Sequence, residues 1–219
     1  QLDYTVYVAP FSPNGKPLHV KGFLKQFRKV VEKNTNWLSY AARCGIPLVG
    51  LDPSVVLTYR DEYLKILGEN KLLFEVLLPQ EFLVKKLKKL PGHAVSISKK
   101  IQEYKLFGHC TEKTGAQLSQ ELWQDVFEAF GLSLELIPVG CCGMAGTYGH
   151  ETDHFEESRG IYNLSWSKKI PEDQLLQQNI LVSGFSCRSQ VKRFEGFRPL
   201  HPLQALLREI ISVNSFQNE

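Results

Sequence analysis

Cys141 and Cys142 stand side by side between glycines, in Gly140-Cys141-Cys142-Gly143-Met144-Ala145-Gly146-Thr147-Tyr148-Gly149. Glycines around a thiol pair let the chain turn sharply and let backbone come close to a bound centre. The apolar run Leu134-Glu135-Leu136-Ile137-Pro138-Val139 ahead of them reads as a strand, so the pair falls just past a strand end. Cys110 follows Lys105-Leu106-Phe107-Gly108-His109 in the same way, and Cys187 follows Asn179-Ile180-Leu181-Val182-Ser183-Gly184. Ligands of open parallel sheets sit beyond the carboxyl ends of the strands. Cys110, Cys141, Cys142 and Cys187 are therefore expected to converge at one edge of a sheet and to bind a metal.

Thiolates suit zinc or iron–sulfur centres, whereas magnesium and calcium prefer oxygen. Adjacent side chains cannot both reach one ion from a regular strand or helix. Either the loop around Gly143, which is expected to line the site, turns to present both thiols, or the two serve different metals of one cluster. A helix expected from His150 to Trp166 would bring its N-terminus near the pair and lower the thiol pKa. His109, beside Cys110, is the best extra ligand or hydrogen-bond donor to the bound group, followed by His201. His150 and His154 are expected in solvent, and Cys44 in the core as a small hydrophobe. Disulfide exchange by Cys141 and Cys142 is the metal-free alternative, but no Cys-x-x-Cys motif supports it.

Elements that position these thiols alternate along the chain. Tyr4 to Ala9 has strand character, and Phe11 to Pro17 is rich in turn residues. Val20 to Ala42 carries apolar residues at helical spacing, with Asn34-Thr35-Asn36 as a candidate break. Ile46 to Leu51 reads as a strand buried on both faces, and Asp52-Pro53-Ser54 as the cap of a helix from Val55 to Leu67. Glu75 to Leu90 is a further amphipathic helix, and Pro91-Gly92-His93 starts a linker. The second half runs strand, helix (Gln120 to Phe130), strand, helix, strand. This order predicts an α/β chain of parallel βαβ units. Pro47 to Val55 overlays Ile180 to Cys187, with Val55 in the place of Cys187. The chain is thus read as two related Rossmann-like modules with parallel sheets, a degenerate one without a thiol site over 1–92 and a metal-binding one over 93–219.

A net charge of +3 in 219 residues is too mild for a nucleic-acid binder, and Lys85-Lys86-Leu87-Lys88-Lys89 reads as the solvated face of a helix. The longest apolar runs are far shorter than the roughly 20 residues of a transmembrane helix. Five cysteines without a secretion signal point to reduced thiols in the cytoplasm. The start at Gln1-Leu2-Asp3, without Met, reads as a cut inside a longer chain.

Cys110, Cys141-Cys142-Gly143 and Cys187 resemble the cysteine-rich CCG domain of glycolate oxidase iron–sulfur subunits and heterodisulfide reductase. That family has one Cys, a spacer, Cys-Cys-Gly, a second spacer and Cys-x-x-Cys. Here Gln190 stands at the last thiol, which leaves four donors. Phe107 to Glu112, Gly140 to Glu151 and Ser186 to Arg193 are similar to the C-terminal part of FAD-linked oxidoreductases of the D-2-hydroxyglutarate dehydrogenase type. So are Phe11 to Gly15, Leu51-Asp52-Pro53 and Tyr59 to Tyr63. The resemblance implies oxidation of a D-2-hydroxy acid, with FAD and ferredoxin-like domains upstream in the same polypeptide. It also implies an iron–sulfur cluster, such as [4Fe–4S], at the cysteines, and it leaves room for a homo-oligomer. A structural zinc site without electron transfer is the rival reading.

Overall fold

The computed structural model describes residues 4–68, 73–87 and 103–216, with side chains to residue 211. The first half comprises α1 (Lys16–Val20), α2 (Leu24–Arg43), β1 (Leu48–Val49), α3 (Pro53–Arg60), α4 (Glu62–Leu67), β2 (Val76–Leu77) and α5 (Pro79–Leu87). Strands β1 and β2 pair in parallel, Leu48 opposite Val76. Phe27 and Val31 of α2 pack with Val56, Tyr63, Phe74, Val76 and Leu78 to form the core of this half. Asn34 does not break α2. Its amide donates to the Pro13 carbonyl and the Tyr63 hydroxyl, and its oxygen accepts from Ser12, so tertiary partners satisfy a residue that is a poor helix former.

Several local expectations change here. Residues 4–15 run irregularly, exposed as far as Pro13, rather than as a strand. Only Leu48–Val49 of the run 46–51 pairs, and Leu51 is 63% exposed, because a two-stranded sheet leaves a free face. The helix expected from Val55 to Leu67 starts at Pro53 and is interrupted at Asp61, whose φ and ψ are −112° and −69°. The segment from Glu75 begins as β2 and becomes helical only at Pro79, a residue favoured at the first helical position. The boundary at 92, the linker from Pro91, Lys88 and Lys89 lie outside the described residues.

The second half comprises β3 (Glu103–Phe107), α6 (Cys110–Gly115), α7 (Glu121–Ala129), β4 (Ser133–Ile137), α8 (Phe155–Ser165), α9 (Gln174–Gln177), β5 (Ile180–Val182), α10 (Phe185–Glu195) and α11 (Pro202–Phe216). Its sheet has the order β4-β3-β5, all parallel, as the alternating pattern predicts. Tyr104, Leu106, Leu134 and Leu181 pack with Trp123 and Phe127 of α7 and Leu206 of α11; Val84 of α5 joins the same cluster. Phe107, Ile180 and Val182 pack instead with Tyr162, Trp166 and Val191, beside Cys142 and Cys187. The halves differ in strand number but share one junction, a short strand leading through a loop into a helix, at β1–α3 and β5–α10.

Candidate metal centre

Register places Phe107, Ile137 and Val182 abreast, so the segments after β3, β4 and β5 leave the sheet together. This brings the four distant thiols into one place. They touch in series: Cys110 against Cys141, Cys141 against Cys142, and Cys142 against Cys187. Cys142 and Cys187 are 3% and 1% exposed, whereas Cys110 and Cys141 are half-buried. Cys44 is exposed, not a core thiol.

The loop holding the pair is shaped by left-handed backbone at Gly143, Ala145 and Gly146 (φ 85°, 41° and 73°). A Cβ on Gly143 would run into the Ser158 carbonyl oxygen, so only glycine fits there. The Gly143 N–H reaches the Cys141 sulfur at 3.3 Å, and the Ala145 N–H also points to it. Helix α8 begins only at Phe155, after two short 3-10 turns at 148–150 and 152–154. The helix N-termini in this site belong instead to Cys110, first residue of α6, and Cys187, third of α10. His150 is exposed, as expected; His154 is half-buried and stacks on Tyr148 at 3.9 Å.

Charge concentrates on one sulfur. Thiol hydrogen bonds from Cys110 and Cys142, with the two backbone amides, hold Cys141 well below the ordinary thiol range. The same contacts push Cys110 and Cys142 up, with a further push on Cys142 from Cys187, and burial adds to both.

His109 caps α6. Its Nδ1 accepts from the Thr111 N–H at 3.2 Å, and Nε2 lies 3.4 Å from the Ser186 hydroxyl. Burial lowers its pKa against the opposing charges of Asp52 and Cys141. The His201 ring is placed elsewhere: Nδ1 accepts from Leu203, the ring also bonds the Leu51 backbone, and Trp123 lies edge-on at 5.8 Å. It belongs to the packing between the halves rather than to the thiols.

Three residues with no chemistry assigned from sequence complete the site. Glu112 is fully buried; Oε2 accepts from the His109 N–H and the Ser183 hydroxyl, and Oε1 from Gln80 and Ser119. One carboxylate thereby ties the Cys110 helix to the end of β5 and to α5. The signal for it was a Glu three residues after a helix cap, the capping-box spacing. Asp52 accepts the Phe185 N–H at 2.8 Å, and nothing local foretells that bond. Gln190, one turn beyond Cys187 and fully buried, donates to the Cys142 carbonyl at 2.9 Å and to Ser158 at 2.7 Å; its Oε1 has no hydrogen-bond partner.

Among the described residues no three His, Cys, Asp or Glu side chains surround a common point that could hold a single ion. The thiols form a string instead. The donor set is nevertheless all sulfur, partly shielded from water and backed by a glycine that no side chain can replace, which fits a thiolate-ligated group.

The chain is 49% identical over 210 residues to a D-2-hydroxyglutarate dehydrogenase of Pantoea ananatis. It is 47% identical over 211 residues to that of Escherichia coli. Each match takes in 96% of this chain and 20% of the relative, so the chain spans about a fifth of the length of these enzymes and corresponds to their C-terminal part. A component of the anaerobic glycerol-3-phosphate dehydrogenase of Escherichia coli is 27% identical over 203 residues, covering 90% of this chain and 49% of that component. The resemblance read from the motifs therefore extends along nearly the whole chain. No family model and no solved structure matches it.

Proposed function

We propose that this chain, as a piece of a FAD-linked D-2-hydroxyglutarate dehydrogenase, is the cysteine-rich module in which Cys110, Cys141, Cys142 and Cys187 hold an iron–sulfur cluster. The observation that carries this reading is the unbroken contact of four thiols at the aligned ends of three parallel strands. A cluster such as [4Fe–4S] at these sulfurs would supply one-electron transfer. The chain's own residues supply its surroundings. The first turns of α6 and α10 present Cys110 and Cys187, which a bound metal would hold as thiolate. Amides of Gly143 and Ala145 favour it at Cys141, and burial of Cys142 and Cys187 limits access of water.

In the whole enzyme, FAD and ferredoxin-like domains upstream in the same polypeptide would oxidise D-2-hydroxyglutarate to 2-oxoglutarate and pass electrons on. This chain alone would not turn over substrate, because the flavin chemistry lies outside it. Residues 1–92 and 93–219 would be two copies of one module, of which the first has lost its thiol ligands; the shared junctions β1–α3 and β5–α10 support this. Five free cysteines accord with a reducing, cytoplasmic setting. No helix of the described residues is long and apolar enough to cross a membrane.

Elemental analysis of the anaerobically purified full-length enzyme, with its visible spectrum, tests the reading. Expected is more iron and acid-labile sulfide than the upstream clusters hold, with absorption near about 400 nm. Cys142→Ser should remove that excess, and Cys44→Ser should leave it intact. Gln190 at the place of a fifth thiol leaves four donors, the number that closes a tetrahedral zinc site. Stoichiometric zinc, lost with Cys142→Ser and without loss of colour, would make the module structural.

A further inference from the structure

Past β4 the chain leaves the sheet, and the carbonyls that lead into and through the Cys141–Cys142 loop are taken by side chains instead. Trp166 donates its indole N–H to the Gly140 carbonyl at 3.0 Å, Gln190 its amide to that of Cys142 at 2.9 Å, and Ser158 its hydroxyl to that of Gly143 at 2.8 Å. These donors are neutral. Ahead of them the Lys169 ammonium donates to the Pro138 carbonyl and the Lys113 ammonium to the Val139 carbonyl. A neutral donor satisfies a carbonyl as well, so hydrogen bonding alone does not explain two charges here.

Among the described residues neither ammonium forms a salt bridge with a carboxylate. Lys113 stands one turn after Cys110 on α6, close enough to Cys110 and Cys187 to feel their charge and close enough to Lys169 to be repelled by it. Glu112 also acts on Lys113, but burial pushes that carboxyl toward its neutral form and its oxygens already accept from His109, Ser183, Gln80 and Ser119. An anion beside two like charges offsets their repulsion. Thiolates at all four cysteines outweigh the charge of a divalent ion or of an iron–sulfur core, so the loaded centre is such an anion.

We propose that Lys113 and Lys169 are the counter-charge of the thiol centre, a role that rests on the cysteines holding a metal but not on which metal they hold. Their grip on the carbonyls just ahead of Gly140 fixes both charges at the entry to the loop. Metal loading is thereby favoured, because it gathers negative charge on the sulfurs. In an iron–sulfur cluster the reduced state is favoured as well, since it carries one more electron and net charge helps set the potential.

The full-length enzyme carrying Lys113→Gln and Lys169→Gln together tests this, beside the pair Lys113→Arg and Lys169→Arg, which keeps both charges. Both lysines are exposed, so neither pair cuts into the core. The readout is release of the Cys142-dependent metal to phenanthroline, an uncharged chelator that the lysines do not steer. Expected is several-fold faster release in the Gln pair than in the wild type, little change in the Arg pair, and a difference that shrinks as salt screens the charges. Equal rates in the Gln pair and the wild type overturn the proposal. Equally fast release in both pairs also overturns it, because the lysines would then prop the loop by shape and not by charge. Where the metal is an iron–sulfur cluster, its reduction midpoint should be more negative in the Gln pair and restored in the Arg pair; an unmoved midpoint overturns the proposal. Metal content that does not fall with Cys142→Ser strikes the cysteine assignment, and the counter-charge role with it.

Discussion

The carboxylate of Asp52 accepts the backbone N–H of Phe185 at 2.8 Å with one oxygen. With the other it accepts the N–H groups of Ser54 and Val55, at 2.9 and 3.2 Å. One side chain from the first half therefore caps its own helix, α3, and also the helix that carries Cys187. The two halves are fixed to each other at the edge of the thiol centre.

Asp52→Ala should destabilise the chain by about 2 kcal/mol, the sum of a lost N-cap and a lost charge–dipole contact. Asp52→Asn keeps most of the cap and should cost less than half as much. Chemical denaturation midpoints of the two variants give the comparison; equal costs would mean that charge, not capping, dominates.

Glu112→Ala leaves the buried Ser183 hydroxyl without its acceptor and takes one of two acceptors from the His109 N–H and the Gln80 amide. A buried group left unsatisfied costs about 1–3 kcal/mol, so a loss on the order of 2 kcal/mol is expected. Burial already lifts the Glu112 carboxyl above the ordinary range and favours its neutral form, so Glu112→Gln should be the milder change. Denaturation curves paired with metal content check both variants.

Gly143→Ala adds a Cβ that would collide with the Ser158 carbonyl oxygen, at a residue with φ of 85°. The loop must move, and Cys141 and Cys142 move with it. The metal-to-protein ratio should fall, whereas Gly146→Ala, strained in φ but free of any neighbour within 4 Å, should retain more metal.

His201 gives the fold a pH dependence. Burial first, then the charge of Arg188, lowers its pKa to about 4 from 6.5. The unfolded chain therefore takes up this proton at a higher pH than the folded one. Stability is complete above about pH 6.5 and falls as pH drops toward about 4, by on the order of 3 kcal/mol. In His201→Gln this part of the slope should vanish; an unchanged slope would assign it to other groups.

Sequence by itself determined the parallel α/β order, the four thiols at strand ends and the demand for glycine beside Cys142. Those features are local: strand patterning, turn residues and the direction of a chain leaving a parallel sheet decide them over a few residues. The start of α8, the exposed face of β1, the paired β2 and the placing of His201 were decided by packing between elements that the local pattern does not encode. The hydrogen bond from Phe185 to Asp52 joins residues 133 positions apart, and that from Ser183 to Glu112 joins residues 71 apart. The first exists only once the two halves have docked and the second only once β5 has joined β3, where the buried Ser183 hydroxyl needs an acceptor that water can no longer provide.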